Sequence, residues 1–173
     1  DHAGGATCFD SAQGKVVPRF PRARYYVQQE NWQTATHPNP RERGSYLEAN
    51  FLPLQSHDCL HLLEGPCKDL LPNIDILVSH GHTRGQHLVK IRGDDKVLVY
   101  CGDLLPTSHH VRLAWLMAYD INPLVLMEEK QVLLSQAAEE GWYLFLEHDD
   151  AFDAVQVVAA DGDFRVDARY RLF

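Results

Sequence analysis

The apolar positions of this chain fall into short β-branched runs that stop abruptly at glycine, histidine or acid. Ile76-Leu77-Val78 leads into Ser79-His80-Gly81-His82-Thr83-Arg84-Gly85-Gln86-His87. Val97-Leu98-Val99-Tyr100-Cys101 ends in Gly102-Asp103, and Trp142-Tyr143-Leu144-Phe145-Leu146 ends in Glu147-His148-Asp149. Runs of this length, rich in β-branched and aromatic residues, predict buried strands. The glycines mark turns at their ends. Strands that each deliver a His or Asp at the C-terminal end can converge on one site.

The remaining pattern fills in around these runs. Residues 23–28 (A-R-Y-Y-V-Q), 58–63 and 74–78 read as strands, the last two separated by the Gly65-Pro66 turn signal, and residues 16–21 are extended. Residues 86–91 and 96–101 predict a hairpin closed by Arg92-Gly93-Asp94-Asp95, and 154–159 and 164–172 another around Asp161-Gly162-Asp163. Residues 30–36 predict a short helix, 37–46 a surface loop and 45–51 a helical turn, while 111–120 read as a helix or apolar flap that Pro123 ends. The longest helix is expected over 127–140, with Met127, Leu134 and Ala138 on one face, Leu133 and Ala137 beside them, and Gly141 as its stop. Strands outnumber helices. The fold class is therefore mixed α/β, a sheet packed under helices, and 173 residues make a single domain spanning 1–173.

Composition narrows the partners. Hydrophobic residues make up 45% and charged residues 23%, the balance of an ordinary globular chain. A net charge of −8 disfavours nucleic acid and anionic membrane, which need clustered Lys and Arg. The basic stretch at 19–24 is short and proline-broken, and no apolar span is long enough to cross a membrane. Cys8, Cys59, Cys67 and Cys101 lie far apart without a C-x-x-C pair, which argues against a zinc ribbon and for reduced thiols in a cytoplasmic setting.

Asp1, His2, His82, Asp103 and His148 offer the imidazole and carboxylate donors that suit zinc, or manganese, iron or cobalt. Such an ion lowers the pKa of bound water from roughly 16 to about 7, making hydroxide available at neutral pH. Asp103 is the expected bridge between two ions. The rival reading is that these are polar residues of sheet edges, where His and Asp are common. His80 and His87 are expected to be structural, His37, His57 and His61 have no partner pattern, and His109 and His110 pack a loop. Tyr25, Tyr26 and Tyr119 are expected in the core rather than as donors to a substrate oxygen. The Asp1-His2-Ala3-Gly4-Gly5 segment alone is expected to fray.

Taken in order, Asp1-His2-Ala3-Gly4-Gly5, Gly81-His82-Thr83-Arg84-Gly85, Cys101-Gly102-Asp103 and Glu147-His148-Asp149 resemble the metal motifs of metallo-β-lactamase-fold hydrolases, in the branch that includes quorum-quenching lactonases and related esterases. Asp1 and His2 match the last two positions of that family's H-x-H-x-D-H motif, His82 its later histidine, Asp103 its bridging aspartate and His148 its final histidine. The resemblance implies an αβ/βα sandwich, of which this chain would be a C-terminal part, and two divalent ions. Asp1, His2, Asp103 and His148 would hold one; His82, Asp103 and two leading histidines absent from this chain would hold the other. It implies a hydrolase whose metal-bound hydroxide attacks an ester, lactone or related carbonyl of a small molecule. The N-terminal half of the same protein, or another chain, would complete the site. Residues 104–119 would supply part of an acyl pocket. The alternatives are a glyoxalase-type thioesterase or phosphodiesterase among enzymes, and outside them an inactive binding or assembly module that keeps the fold.

Overall fold

The computed structural model describes residues 2–172; Asp1, an expected metal ligand, lies outside them. Contacts group the chain into two units, Asp1–Glu64 and Gly65–Phe173.

In the first unit, β1 (Thr7–Asp10) and β2 (Lys15–Pro18) form an antiparallel hairpin, a strand pair of which only the second was expected to be extended. The Asp10 carboxylate closes the turn by accepting from the Ala12 and Gln13 amides at 2.9 and 3.2 Å, a local bond that short polar side chains favour. A second pair, β3 (Tyr25–Gln28) and β4 (Leu60–Leu63), runs parallel. Parallel strands need a long crossover, and this one contains α1 (Gln29–Thr36) and the short α2 (Leu52–Ser56). Ala35, Tyr46 and Phe51 form a small apolar cluster with Trp32 and Leu52 against it.

The second unit is built on β5 (Cys67–Leu71), β6 (Ile74–Ser79), β7 (Gln86–Arg92), β8 (Val97–Tyr100), β9 (Tyr143–Phe145), β10 (Ala154–Ala160) and β11 (Asp163–Tyr170). They form one sheet in the order β11-β10-β9-β8-β7-β6-β5. Neighbours are antiparallel except β8 and β9, which are parallel and are joined through α3 (Pro123–Glu140). Because antiparallel β7 separates β6 from β8, the strands β6, β8 and β9 all point the same way. Their C-terminal ends therefore share one edge of the sheet. The β5 strand was not expected; the Asp75 carboxylate ties it to β6 by accepting from the Asp69 amide at 2.8 Å, a tertiary bond without a local signature.

One face of the sheet packs on α3. Leu88, Val99, Leu144, Val155 and Val157 meet Leu126, Leu133, Leu134 and Ala137 in a core that also takes Cys101 and Trp142. The expected helix or flap at 111–120 is irregular beyond a single 3-10 turn, Ser108–Val111. Pro123 does not end a helix but starts α3, where its missing N–H is no loss. Gly141 stops α3 with φ 68°, its amide on the Ala137 carbonyl. The buried stripe is Leu126, Lys130, Leu133, Leu134 and Ala137, with Met127 and Ala138 half-buried at its flanks. No helix among the described residues is long and apolar enough to cross a membrane.

Lys130 is wholly buried, and its ammonium donates to the carbonyls of His110, Arg112 and Trp115 at 3.1, 2.8 and 2.8 Å. Burial pulls its pKa down to about 8, so at neutral pH it keeps three protons for three acceptors. The irregular segment 110–115 is thus organised around one cation. Lys130→Met is expected to strand those carbonyls at about 1–3 kcal/mol each before relaxation. The net loss should be about 3 kcal/mol, a fall in Tm of roughly 6–12 °C in a thermal melt.

Candidate metal centre

The end of β6 is fixed by α3. The Glu129 carboxylate accepts from the Ser79 hydroxyl at 2.6 Å, the His80 amide at 2.9 Å and the Gly81 amide at 3.2 Å. The Asn122 amide donates to the Gly81 carbonyl at 2.8 Å, its side chain donates to the His80 carbonyl at 3.1 Å, and the Ile121 amide donates to the His82 carbonyl at 3.2 Å. Only glycine fits at 81, since a Cβ there would stand 2.3 Å from the Cα of Leu126.

His82 leaves this turn buried, 3% exposed, with both ring nitrogens facing carboxylates. Nδ1 lies 2.8 Å from Asp120 Oδ1 and Nε2 lies 3.1 Å from Asp103 Oδ2. Asp120 is itself held by the Met117 amide, which donates to its other oxygen at 2.7 Å. Burial alone would lower the pKa of His82. Hydrogen bonds to Asp103 and Asp120, and their charges, outweigh it and push the pKa up to about 9. The two carboxylates therefore favour positive charge at this point.

Asp103 follows β8 through Gly102, whose φ of +50° turns the chain directly after the strand. It too is 3% exposed, and its second oxygen, Oδ1, lies 3.2 Å from Nε2 of His148. The His148 amide donates to the Pro106 carbonyl at 3.1 Å. The following turn is pinned by Asp149, which accepts from the Ser108 amide at 2.7 Å and from Ala151 and Phe152 at 3.0 Å. Burial alone would raise the Asp149 carboxyl, but these bonds hold its pKa below the usual range. Glu147 adds an oxygen 3.8 Å from His148 Nε2, and its other oxygen accepts from the Tyr100 hydroxyl. Ligand atoms of Asp103, Glu147 and His148 lie within 4.8 Å of one another.

This donor set fits a divalent cation. Two donors on one tetrahedral zinc, each about 2.0–2.1 Å from it, stand roughly 3.3 Å apart; the imidazole–carboxylate separations are 3.1 and 3.2 Å. One carboxylate offers its two oxygens to two different imidazoles. A histidine whose far nitrogen donates to a carboxylate is the usual outer support of a metal ligand, fixing tautomer and ring orientation. Asp120 occupies that position. Asp120→Ala is expected to weaken zinc or cobalt binding about 10–100-fold, read by competition with a chromogenic chelator.

Among the expected ligands of the second unit, His82, Asp103 and His148 come together. Sequence reasoning left Asp120 and Glu129 unassigned, since each is brought to the turn from far along the chain. His110 packs a loop as expected, its Nδ1 2.8 Å from the Thr107 hydroxyl. Within the expected acyl-pocket segment 104–119, Leu104, Leu105 and Val111 are buried at 0–1% exposure, whereas Trp115 is 52% exposed. One expectation is corrected. Tyr119 is not a core residue: it is 59% exposed and stands edge-on to the His82 ring, centroids 6.0 Å apart.

No family model matches the sequence, and no curated protein matches it closely enough to be informative. Solved structures do. A probable metal-dependent hydrolase from Staphylococcus aureus is similar over 98% of this chain and 57% of its own, with 29% identity and a TM-score of 0.82. AidC, a dizinc quorum-quenching lactonase in complex with its product N-hexanoyl-L-homoserine, is similar over 100% of this chain and 62% of its own, at 17% identity and TM-score 0.77. The hydrolase AbOPH of the beta-lactamase superfamily is similar over 96% and 60%, at 19% identity and TM-score 0.76. The chain thus spans about 57–62% of the length of these proteins.

Proposed function

From a chain that has the metallo-β-lactamase fold over this span, we propose a divalent-metal-dependent hydrolase acting on an ester, lactone or related carbonyl of a small molecule. The observation that carries this reading is the Asp103 carboxylate, whose two oxygens face His82 and His148 separately. Asp1, His2, His82, Asp103 and His148 are the ligands in this reading, for two ions, zinc in the first instance and manganese, iron or cobalt as alternatives. Both units then act as one catalytic domain. The N-terminal half of the same protein, or another chain, contributes the remaining histidine ligands.

When bound, the ions polarise the carbonyl and lower the pKa of a coordinated water to about 7. The residues of this chain set up that chemistry. Asp120 keeps the proton on Nδ1 of His82, so that Nε2, beside Asp103, would be the nitrogen to hold an ion. Glu129 holds the turn that presents His82. Tyr119, exposed beside His82, would donate its hydroxyl to a substrate oxygen in this reading.

Metal analysis of the intact protein should find about two equivalents of transition metal. Hydrolysis of an activated ester or an acyl-homoserine lactone should disappear with a chelator and return with zinc. A protein that binds no transition metal, or that hydrolyses equally well in chelator, would overturn the proposal.

A further inference from the structure

The first unit carries a partly open pocket of about 190 Å³ that the proposed chemistry does not use. Tyr25, Tyr26, Trp32, Tyr46, Phe51 and Leu54 make most of its wall. None of the described residues lining it is charged, in a chain of net charge −8. The wall is ordered: Trp32 stands edge-on to Phe51, centroids 5.4 Å apart at 85°. Two buried polar groups meet in its wall, the Asn31 amide donating to the Tyr46 hydroxyl at 3.2 Å, with these residues 8% and 7% exposed; Ser45 and Asn50 are further polar lining.

We infer that this pocket is a binding site for a neutral, mainly apolar group the size of an aromatic ring or short alkyl chain, with room for a hydroxyl or carbonyl against its polar lining. The volume is right for such a group, because an apolar cavity of about 150 Å³ accepts benzene. An ionised group is disfavoured against this wall, since the lining offers a charge no partner of opposite sign. Ala3, the residue after His2, is part of the wall. The occupant is a small molecule of this chemistry, whether the hydrolysed substrate or a separate ligand. The binding site itself does not rest on the metal proposal.

The test titrates the protein with benzyl alcohol and with benzoate at neutral pH, following the indole N–H resonance of Trp32. Benzyl alcohol should saturate, and benzoate should bind at least about tenfold more weakly. Ala35, 7% exposed on α1, lines the cavity, so Ala35→Leu fills it and should weaken benzyl alcohol at least about tenfold while the circular dichroism stays unchanged. Should that variant unfold, the smaller Ala35→Val should still weaken binding. Absence of saturation, equal binding of benzoate, or undiminished binding in a folded Ala35 variant would overturn the inference. Competition between benzyl alcohol and 4-nitrophenyl butyrate hydrolysis assigns the occupant to the substrate. Undiminished hydrolysis at saturation assigns it to a separate molecule.

Discussion

Asp103→Ala is expected to lower hydrolysis in the intact protein by more than about 10²-fold, and to remove both ions rather than one. The bound is physical: replacing an outer partner of a metal ligand costs about 10–100-fold, so removing the ligand itself must cost more. Its two oxygens face His82 at 3.1 Å and His148 at 3.2 Å, so no other described side chain can replace both contacts at once. His148→Ala supplies the contrast. His148 is half-exposed and faces one oxygen of Asp103, Oδ1, and its loss should leave about one equivalent of metal bound. Stoichiometry measured on both variants separates a shared carboxylate from an ordinary ligand. Equal metal content in parent and Asp103→Ala would end the bridging assignment. Unchanged hydrolysis by that variant would favour an inactive module that only retains the fold.

Gly81→Ala should be the most damaging single methyl group in the second unit. The added Cβ would lie 2.3 Å from both Cα and Cβ of Leu126 and 2.6 Å from its nitrogen. These atoms belong to α3, whose stripe of Leu126, Leu133, Leu134 and Ala137 is locked into the core. The helix cannot retreat without opening that core, so the turn at 80–82 must move and carry His82 with it. Overpacking of this kind costs about 1–3 kcal/mol, and a clash with helix backbone belongs at the upper end. A loss of about 3 kcal/mol lowers Tm by roughly 6–12 °C. Metal affinity should fall as well, since the His82 imidazole loses its placement against Asp103 and Asp120. Gly44→Ala is the control: nothing lies within 4 Å of a Cβ built there, and it should be neutral or stabilising by about 0.4–1 kcal/mol. A Gly81→Ala protein that melts with the parent and keeps its metal affinity would show that α3 does not set the position of His82.

Much of this arrangement was legible along the chain, because its signals are local. The runs before His82, Asp103 and His148 are short, β-branched or aromatic, and end in polar turns; the corresponding strands β6, β8 and β9 form as those patterns require. The hairpins around 92–95 and 161–163 follow from turn chemistry within a few residues. The ordered set of motifs pointed to the metallo-β-lactamase fold, and the solved structures share it. The helix α3 was visible too, although Lys130 obscured its buried stripe. A lysine reads as solvent-facing by composition, and only the carbonyls of 110, 112 and 115 make its burial favourable.

Taken by itself, the order of residues determined which segments become strands, where they turn, and that His82, Asp103 and His148 stand at strand ends. Tertiary structure decided which way those ends face: antiparallel β7 lies between β6 and β8, and β9 joins parallel to β8 through α3, so three ends meet on one edge. It also decided that Asp120 and Glu129 support His82 and that Leu104, Leu105 and Val111 enter the core. The physical reason is one of range. Strand propensity and turn chemistry act over a few residues, whereas a carboxylate 38 positions from its imidazole is placed only by the packing of the whole sheet and helix around it.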